Sequence, residues 1–433
     1  MKVAIVGFEV EGKSALQYWL DKGADVTVCD QDPDKVVPEG IPTQLGTGYL
    51  DNLDRFDIIV RTVGMHPNKI LEKNPGVAEK ITTNLDEFLK VSPTRNIIGV
   101  TGTKGKGTTS TLIVKMLQAA GKHAFLGGNY GVPAFSFLNE LTPDSWVVLE
   151  LSSFMLYDIT RSPHIGVCLM VVPEHLDWHG DAEDYFRSKS NLFAHQGPDD
   201  IAIYYADNDN SKQIASAGPG RKIPYYASPG AYVDNGEIKI DGVSICRTDE
   251  LKLLGKHNWQ NACAAITAFW QVEQNADAAR EVLTSFTGLP HRLEFVREVG
   301  SIRFYNDSFA TDPYATIAAI DAVPGTKVPI IGGFERMIPI EDLTKHIAGS
   351  SDVRAVLLIG QSKQRVADEL TRAGFTNFRI SDAQTMTDIV AEARELAQDG
   401  DAVVLSPGFA SFDLFKNFED RGNQFKSAVN ELT

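Results

Sequence analysis

The stretch Gly99-Val-Thr-Gly-Thr-Lys-Gly-Lys-Gly-Thr-Thr-Ser110 begins at the end of an apolar run, Asn96 to Val100, and packs four glycines, two lysines and several hydroxyls into a few residues. This pattern predicts a strand that turns sharply into a helix beginning near Thr108. Gly102, Gly105 and Gly107 permit backbone angles that a Cβ forbids, so successive N–H groups can converge on one anion. Lys106 adds a point charge, and the helix offers its positive N-terminal end. The chemistry is that of a phosphate cradle. Its spacing departs from G-x-x-x-x-G-K-[ST], because Gly107 stands where the magnesium hydroxyl belongs and Thr108 comes one place later. Thr108 is therefore the candidate hydroxyl ligand. A Gly-rich turn that merely packs helix on strand is the competing reading, and it leaves Lys106 unexplained.

Upstream, residues 1–92 open with Val3-Ala-Ile-Val6, Gly7, a helix around Ser14 to Leu20 and a strand, Asp25 to Val28, that ends at Asp30. This is a βαβ unit with an acid about 20 residues beyond its glycine, close to a dinucleotide fingerprint. Gly7-Phe-Glu-Val-Glu-Gly12 keeps the first and third glycines but places Glu9 where a pyrophosphate would approach. Three readings stay open: a nicotinamide site, a packing turn, or a pocket for one nucleotide with Asp30 near its ribose or base. Asp57 to Val60 reads as another buried strand, with Thr62-Val-Gly-Met65 at its C-terminal tip, where ligands of open α/β sheets collect.

Downstream, strand and helix alternate, which implies a mainly parallel sheet. Strands are expected at His123–Leu126, Trp146–Leu151, Gly166–Val171 and Ile201–Ala206, and helices near 108–120, 181–195 and 258–274. Residues 207–256 read as a small appended sheet. Glu150, at a strand tip beside the phosphate strand, is placed to hold magnesium against a triphosphate, with a turn-capping acid as the alternative. Pro173-Glu-His-Leu-Asp-Trp-His-Gly180 carries four titratable groups. His175, Asp177 and His179 lack a fourth ligand at zinc spacing, and His175 suits a magnesium or substrate-orienting role better. His179 reads equally as a surface residue. Lys189, alone on a helix, reads by default as solvated. Beyond Gly288-Leu-Pro-His291, strands at Ile302–Tyr305, Val328–Ile331, Ala355–Ile359 and Ala402–Leu405 build a further α/β unit.

Composition narrows the classes. A chain of 433 residues exceeds one core, and its 43% apolar and 23% charged residues are globular values. The net charge of −16 disfavours general nucleic-acid or membrane-surface binding. Four scattered cysteines suggest neither a disulfide framework nor a zinc site. The start of the chain reads as a strand, not a signal peptide, and no apolar run approaches the ~18 residues of a membrane span.

Taken together, these motifs resemble the Mur ligase family, cytoplasmic ATP-dependent amide-forming enzymes of peptidoglycan synthesis. The resemblance covers the whole chain. Its further markers are Gly127-Gly-Asn-Tyr-Gly131, Leu149-Glu-Leu-Ser-Ser-Phe154, Tyr185 to Lys189, Leu254-Gly-Lys-His-Asn-Trp-Gln-Asn261, Leu289-Pro-His-Arg-Leu-Glu294, Asn306-Asp-Ser308 and, most specific, Ser406 to Gly422. It implies an α/β protein of three domains: a Rossmann-like domain over 1–92 that holds uridine diphosphate, a central ATPase-like domain with a parallel sheet over 93–288, and a Rossmann-like domain over 289–433 that receives an amino acid. The segment 406–422 points to the member that adds D-glutamate to UDP-N-acetylmuramoyl-L-alanine. By the same resemblance, Gly102, Thr103, Lys104, Gly105, Lys106, Gly107 and Thr108 surround the ATP phosphates. Thr108 and Glu150 hold one magnesium ion, His175 helps hold a second, and Lys189 is carbamylated by carbon dioxide. Asn258, Asn261, Arg292 and Asp307 surround the rest of ATP. Asn129 and Ser152 contact the muramoyl substrate, while Gly12, Asp30, Thr62 and Gly64 hold its uridine diphosphate. Thr311, Arg336, Ser411, Phe412 and Phe418 form the amino-acid site. A monomer is the expected state, with no nucleic-acid or membrane partner.

Three positions depart from the family pattern. Phe309 stands where relatives usually carry lysine, Asp312 where they carry asparagine, and Arg336 where a lysine meets the glutamate carboxylate. Arg336 still binds a carboxylate, and bidentately, but with a different reach. The Gly105-Lys-Gly107 spacing matches folylpolyglutamate synthase, whereas the N-terminal domain and residues 406–422 do not. An oxidoreductase using Gly7 to Asp30, and a catalytically silent nucleotide-binding regulator, complete the rival readings.

Overall fold

Val3, Ala4, Ile5 and Val6 are all buried, an unbroken apolar run that suits a parallel strand covered on both faces. In the computed structural model, which describes residues 1–129 and 132–433, this run is the centre of a five-stranded parallel sheet. Its order is Thr43–Leu45, Asp25–Asp30, Lys2–Val6, Ile58–Arg61, Ile81–Thr82. The order reverses beside Lys2–Val6, so Gly7 and the loop after Arg61 flank the crevice where such sheets bind ligands. Tyr130 and Gly131 of the Gly127–Gly131 motif lie outside the described residues.

The phosphate strand, Ile97–Thr101, lies inside a second parallel sheet ordered Arg221–Tyr225, Ile201–Tyr205, Ile165–Cys168, Ile97–Thr101, Trp146–Glu150, Ala124–Gly128. Its loop therefore emerges between the tips of Ile165–Cys168 and Trp146–Glu150. Two small residues set the spacing of the helix Ala182–Ala194 against this sheet. A Cβ at Gly99 would meet Leu192 at 2.7 Å, and one at Gly166 would meet Phe193 at 2.5 Å. The strand expected over 166–171 stops at Cys168, because the Thr103 N–H takes the Met170 carbonyl and draws the chain over the cradle. Residues 207–256 hold more than an appended sheet. The helix Asp209–Ala215 and the edge strand Arg221–Tyr225 extend the main layer, and only Tyr232–Asp234, Glu237–Ile240 and Val243–Arg247 form a separate antiparallel sheet.

The chain divides into two units, Met1–Glu250 with Trp259–Thr284, and Leu251–Asn258 with Ser285–Thr433. The second carries a sheet ordered Glu294–Val299, Ile302–Asn306, Ala402–Leu405, Lys327–Gly332, Val356–Ile359, Phe378–Ile380. All its pairs are parallel except the first. Glu294–Val299 escaped the sequence reading because Arg297 and Glu298 interrupt its apolar residues. The α/β class is the one expected.

Candidate active site

Gly105 takes φ +88°, and a Cβ there would stand 2.3 Å from Asn261 Oδ1. Gly102 takes φ +144°, with Leu169 Cβ 2.6 Å from the same hypothetical atom. Both glycines are needed for the loop to close. Because Gly105 completes the turn as the N-cap, the helix begins at Lys106, two residues before the expected start, and Gly107 has an ordinary helical backbone. Thr108 sits in the first helical turn. Lys106 Nζ donates to the carbonyls of Gly102 and Thr103 at 3.0 Å each, folded over the loop it is meant to charge. Lys104 points away to Glu174 Oε1 at 2.8 Å.

Glu150 is buried at the tip of Trp146–Glu150. Its Oε1 accepts Asn129 Nδ2 at 2.7 Å, whereas Oε2 is buried without a hydrogen-bond partner among the described residues. A lone buried carboxylate oxygen is costly unless a cation or donor meets it, so Glu150 fits a metal ligand better than a turn cap. Ser152 caps the next turn, its Oγ accepting the Met155 N–H at 3.2 Å. His175 adopts φ +58° and stands half exposed, with its Nε2 3.6 Å from Glu174 Oε2. Burial and the Lys106 charge lower its pKa against the pull of Glu174, which keeps the imidazole neutral and able to ligate. Among the described residues no three His, Cys, Asp or Glu side chains converge into a metal-binding group.

Two expectations are corrected. Lys189 is not solvated: it is 1% exposed, and its Nζ donates to the Gly102 carbonyl at 3.1 Å and to Thr101 Oγ1 at 3.3 Å. Burial first, then the Lys106 charge, push its pKa down to about 7. His179 is not at the surface. Its ring nitrogens meet Ser153 Oγ at 2.9 Å and Asp184 Oδ2 at 3.1 Å, so it locks the segment 173–180 against two helices. The pattern of either helix alone does not reveal these partners.

In the N-terminal sheet, Asp30 uses both carboxylate oxygens on its own chain, accepting the Phe8 N–H at 2.7 Å and the Asp32 N–H at 3.0 Å. It therefore shapes the Gly7 turn. Gly12 is obligatory, since a Cβ would stand 2.2 Å from the Gly7 carbonyl oxygen. Thr62 Oγ1 donates to Val6 O at 3.0 Å, and Gly64 lies two residues on. Glu11, which the sequence reading passed over, is a half-buried carboxylate whose pKa burial raises and which accepts the Val63 N–H.

The second unit gathers its own group. Asp307 accepts the Leu293 N–H at 3.0 Å and the Ser406 hydroxyl at 2.8 Å, and burial raises its pKa to about 7. The Arg292 guanidinium lies 3.8 Å from the centre of the Phe309 ring, a cation held over an aromatic face. Asp312 caps the helix Pro313–Ala322 through the Ala315 N–H, directly after Thr311. Arg336 and Phe412 are exposed, Ser411 is buried, and Phe418 opens the helix Phe418–Glu431 with its ring 5.0 Å from Phe309. Asn258 donates to Leu254 O at 2.7 Å.

Known proteins resemble this chain in sequence and in fold. A sequence model of the Mur ligase middle domain matches residues 100–269, and one of the Mur ligase glutamate ligase domain matches residues 291–409. A Clostridium kluyveri protein named "UDP-N-acetylmuramoylalanine--D-glutamate ligase" is 35% identical over 449 residues, covering all of this chain and 97% of its own. The chain belongs to the Mur ligase family. An Acetivibrio thermocellus protein of the same name is 36% identical over 458 residues, covering all of this chain and 96% of its own. Solved Mur ligases share the fold. The MurF ligase from Thermotoga maritima, in complex with ADP, superposes with TM-score 0.59 at 16% identity, covering 99% of this chain and 95% of its own. MurF from Acinetobacter baumannii does so with TM-score 0.63 at 14% identity, covering 99% and 90%.

Proposed function

We propose that this chain is an ATP-dependent ligase that adds D-glutamate to UDP-N-acetylmuramoyl-L-alanine in peptidoglycan precursor synthesis. The observation that carries the site assignment is the buried Glu150 Oε2, without a partner among the described residues, beside a glycine-lysine cradle and a buried lysine. The cradle amides and Lys106 grip the ATP phosphates, with Lys106 leaving the loop carbonyls to meet the triphosphate. Asn261, packed on Gly105, joins Asn258, Arg292 and Asp307 in holding the rest of the nucleotide. Thr108, Glu150, His175 and a carbamylated Lys189 would hold two magnesium ions. Bound there, magnesium spreads the negative charge of the transferring phosphoryl group. A lysine with a pKa near 7 has a neutral amine at hand to take up carbon dioxide, and the product is an oxygen ligand for a hard cation.

Gly12, Asp30, Thr62 and Gly64 position the uridine diphosphate, and Asn129 and Ser152 the muramoyl part. The L-alanine carboxylate then attacks the γ-phosphorus, ADP leaves, and an acyl phosphate forms. The glutamate amine, oriented by Thr311, Arg336, Ser411, Phe412 and Phe418, attacks the acyl carbon; it loses a proton as phosphate departs. Residues 1–92, 93–288 and 289–433 divide these tasks as the three functional domains. No helix among the described residues is long and apolar enough to cross a membrane, and a cytoplasmic, monomeric enzyme fits the nucleotide substrates. The test is phosphate release with ATP, magnesium, the muramoyl nucleotide and either D- or L-glutamate. Release with the D isomer alone is expected, and none with either isomer refutes the reading. Lys189→Ala should lose turnover and partly regain it with acetate, which replaces the missing oxygen ligand. Insensitivity to acetate counts against the carbamate.

A further inference from the structure

The loop Thr62–His66 is held from two sides within the first unit. Towards its own sheet, Thr62 Oγ1 donates to Val6 O and the Val63 N–H donates to Glu11 Oε2 at 3.2 Å. Towards the cradle, Trp178 Nε1 donates to the Gly64 carbonyl at 3.4 Å. The Trp178 ring lies 4.3 Å from His66, 4.9 Å from Phe154 and 5.2 Å from Tyr157. His66 is fixed in turn, because its Nδ1 accepts the Asn68 N–H and caps the helix Pro67–Lys73. Beneath this cluster the Arg61 side chain is wholly buried. Its Nε donates to Asp158 Oδ2 at 2.7 Å and Nη2 pairs with Asp158 Oδ1, while the carbonyls of Met65 and Phe154 accept at 3.1 and 3.0 Å. A buried guanidinium satisfied by groups from both sides resists any movement of one side without the other. Phe154 follows Glu150 by four residues, and Trp178 follows His175 by three.

We propose that Arg61 and Trp178 are positioning residues. A ligand that orders loop 62–66 in the N-terminal crevice thereby orders the His175 segment and the turn after Glu150, and so tightens the hold on ATP. This rests on the ligase reading above. The link is reciprocal, so ATP tightens the muramoyl nucleotide by the same factor.

Calorimetric titration of the full chain with magnesium and a non-hydrolysable ATP analogue, with and without UDP-N-acetylmuramoyl-L-alanine, reads the link directly. In the parent protein the muramoyl nucleotide should tighten analogue binding about 5- to 50-fold. Trp178→Phe keeps the ring and removes its N–H donor. In this variant the factor should fall below about twofold, while each ligand alone binds within about twofold of parent. A purely packing role would lower thermal stability without touching the coupling factor. Tryptophan emission gives a second reading: the muramoyl nucleotide alone should change it in the parent and not in Trp178→Phe. Undiminished coupling in the variant overturns the proposal. A parent that binds both ligands independently overturns it too, and leaves the ligase reading standing; a parent that binds neither removes both.

Discussion

Asp307 shows how much a single carboxyl can cost. Its raised pKa, about 7 against an ordinary 3.8, comes first from burial, with the Ser406 hydroxyl, the Leu293 amide and Arg292 pulling the other way. The folded chain thus keeps a proton that the unfolded chain releases near pH 4, so stability falls as pH rises from about 4 to about 7 and levels off above. Asp307→Asn should raise stability above pH 7 by about 1–3 kcal/mol, and the advantage should vanish towards pH 4. Thermal melts from pH 4 to 8.5 check this; an advantage independent of pH argues against the buried charge. The same variant should lose turnover, since the position is assigned to nucleotide contact. Lys189 carries the opposite strain: a cation made easy to neutralise, in a place where a neutral amine is useful.

At the scale of the element, the cradle works because one residue ends a loop and starts a helix. Gly105 supplies the left-handed angle and leaves room for Asn261 Oδ1. Gly105→Ala adds the cost of a non-glycine residue in that region and a clash with the amide. The expected loss is about 1–3 kcal/mol of stability and at least a tenfold rise in KM for ATP, read by chemical denaturation and steady-state kinetics. An unchanged KM would remove Gly105 from the phosphate site. The helix Ala182–Ala194 shows the complementary principle. Gly99 and Gly166 let its Leu192 and Phe193 sink into the sheet, and that depth carries Lys189 under the cradle.

For the molecule as a whole, each unit owns its hydrophobic cores. Phe304, Ile330, Leu357 and Phe425 belong to one core of the second unit, while Leu149, Leu192 and Phe193 belong to the first. Without ligands, scanning calorimetry should resolve two transitions; one transition with equal calorimetric and van't Hoff enthalpies would contradict this. A saturating ATP analogue should shift the melt of the first unit by several degrees, the effect of about 2.7 kcal/mol at a hundred times Kd. The strands, the cradle and the acid at a strand tip were legible in the sequence, because apolar runs and glycine-lysine spacing act over a few neighbouring residues. The antiparallel strand Glu294–Val299 was not, because its mixed polarity makes sense only against its partner. The Mur ligase family and its chemistry were likewise written in local motifs, each readable without knowing what lies across the sheet. Only the tertiary structure decided that Lys189 is buried, that His179 is a buried strut, that Asp30 serves its own backbone and that Arg61 ties loop 62–66 to Asp158. Burial and long-range hydrogen bonds set those roles, and both depend on residues distant in sequence that meet only when the chain has folded.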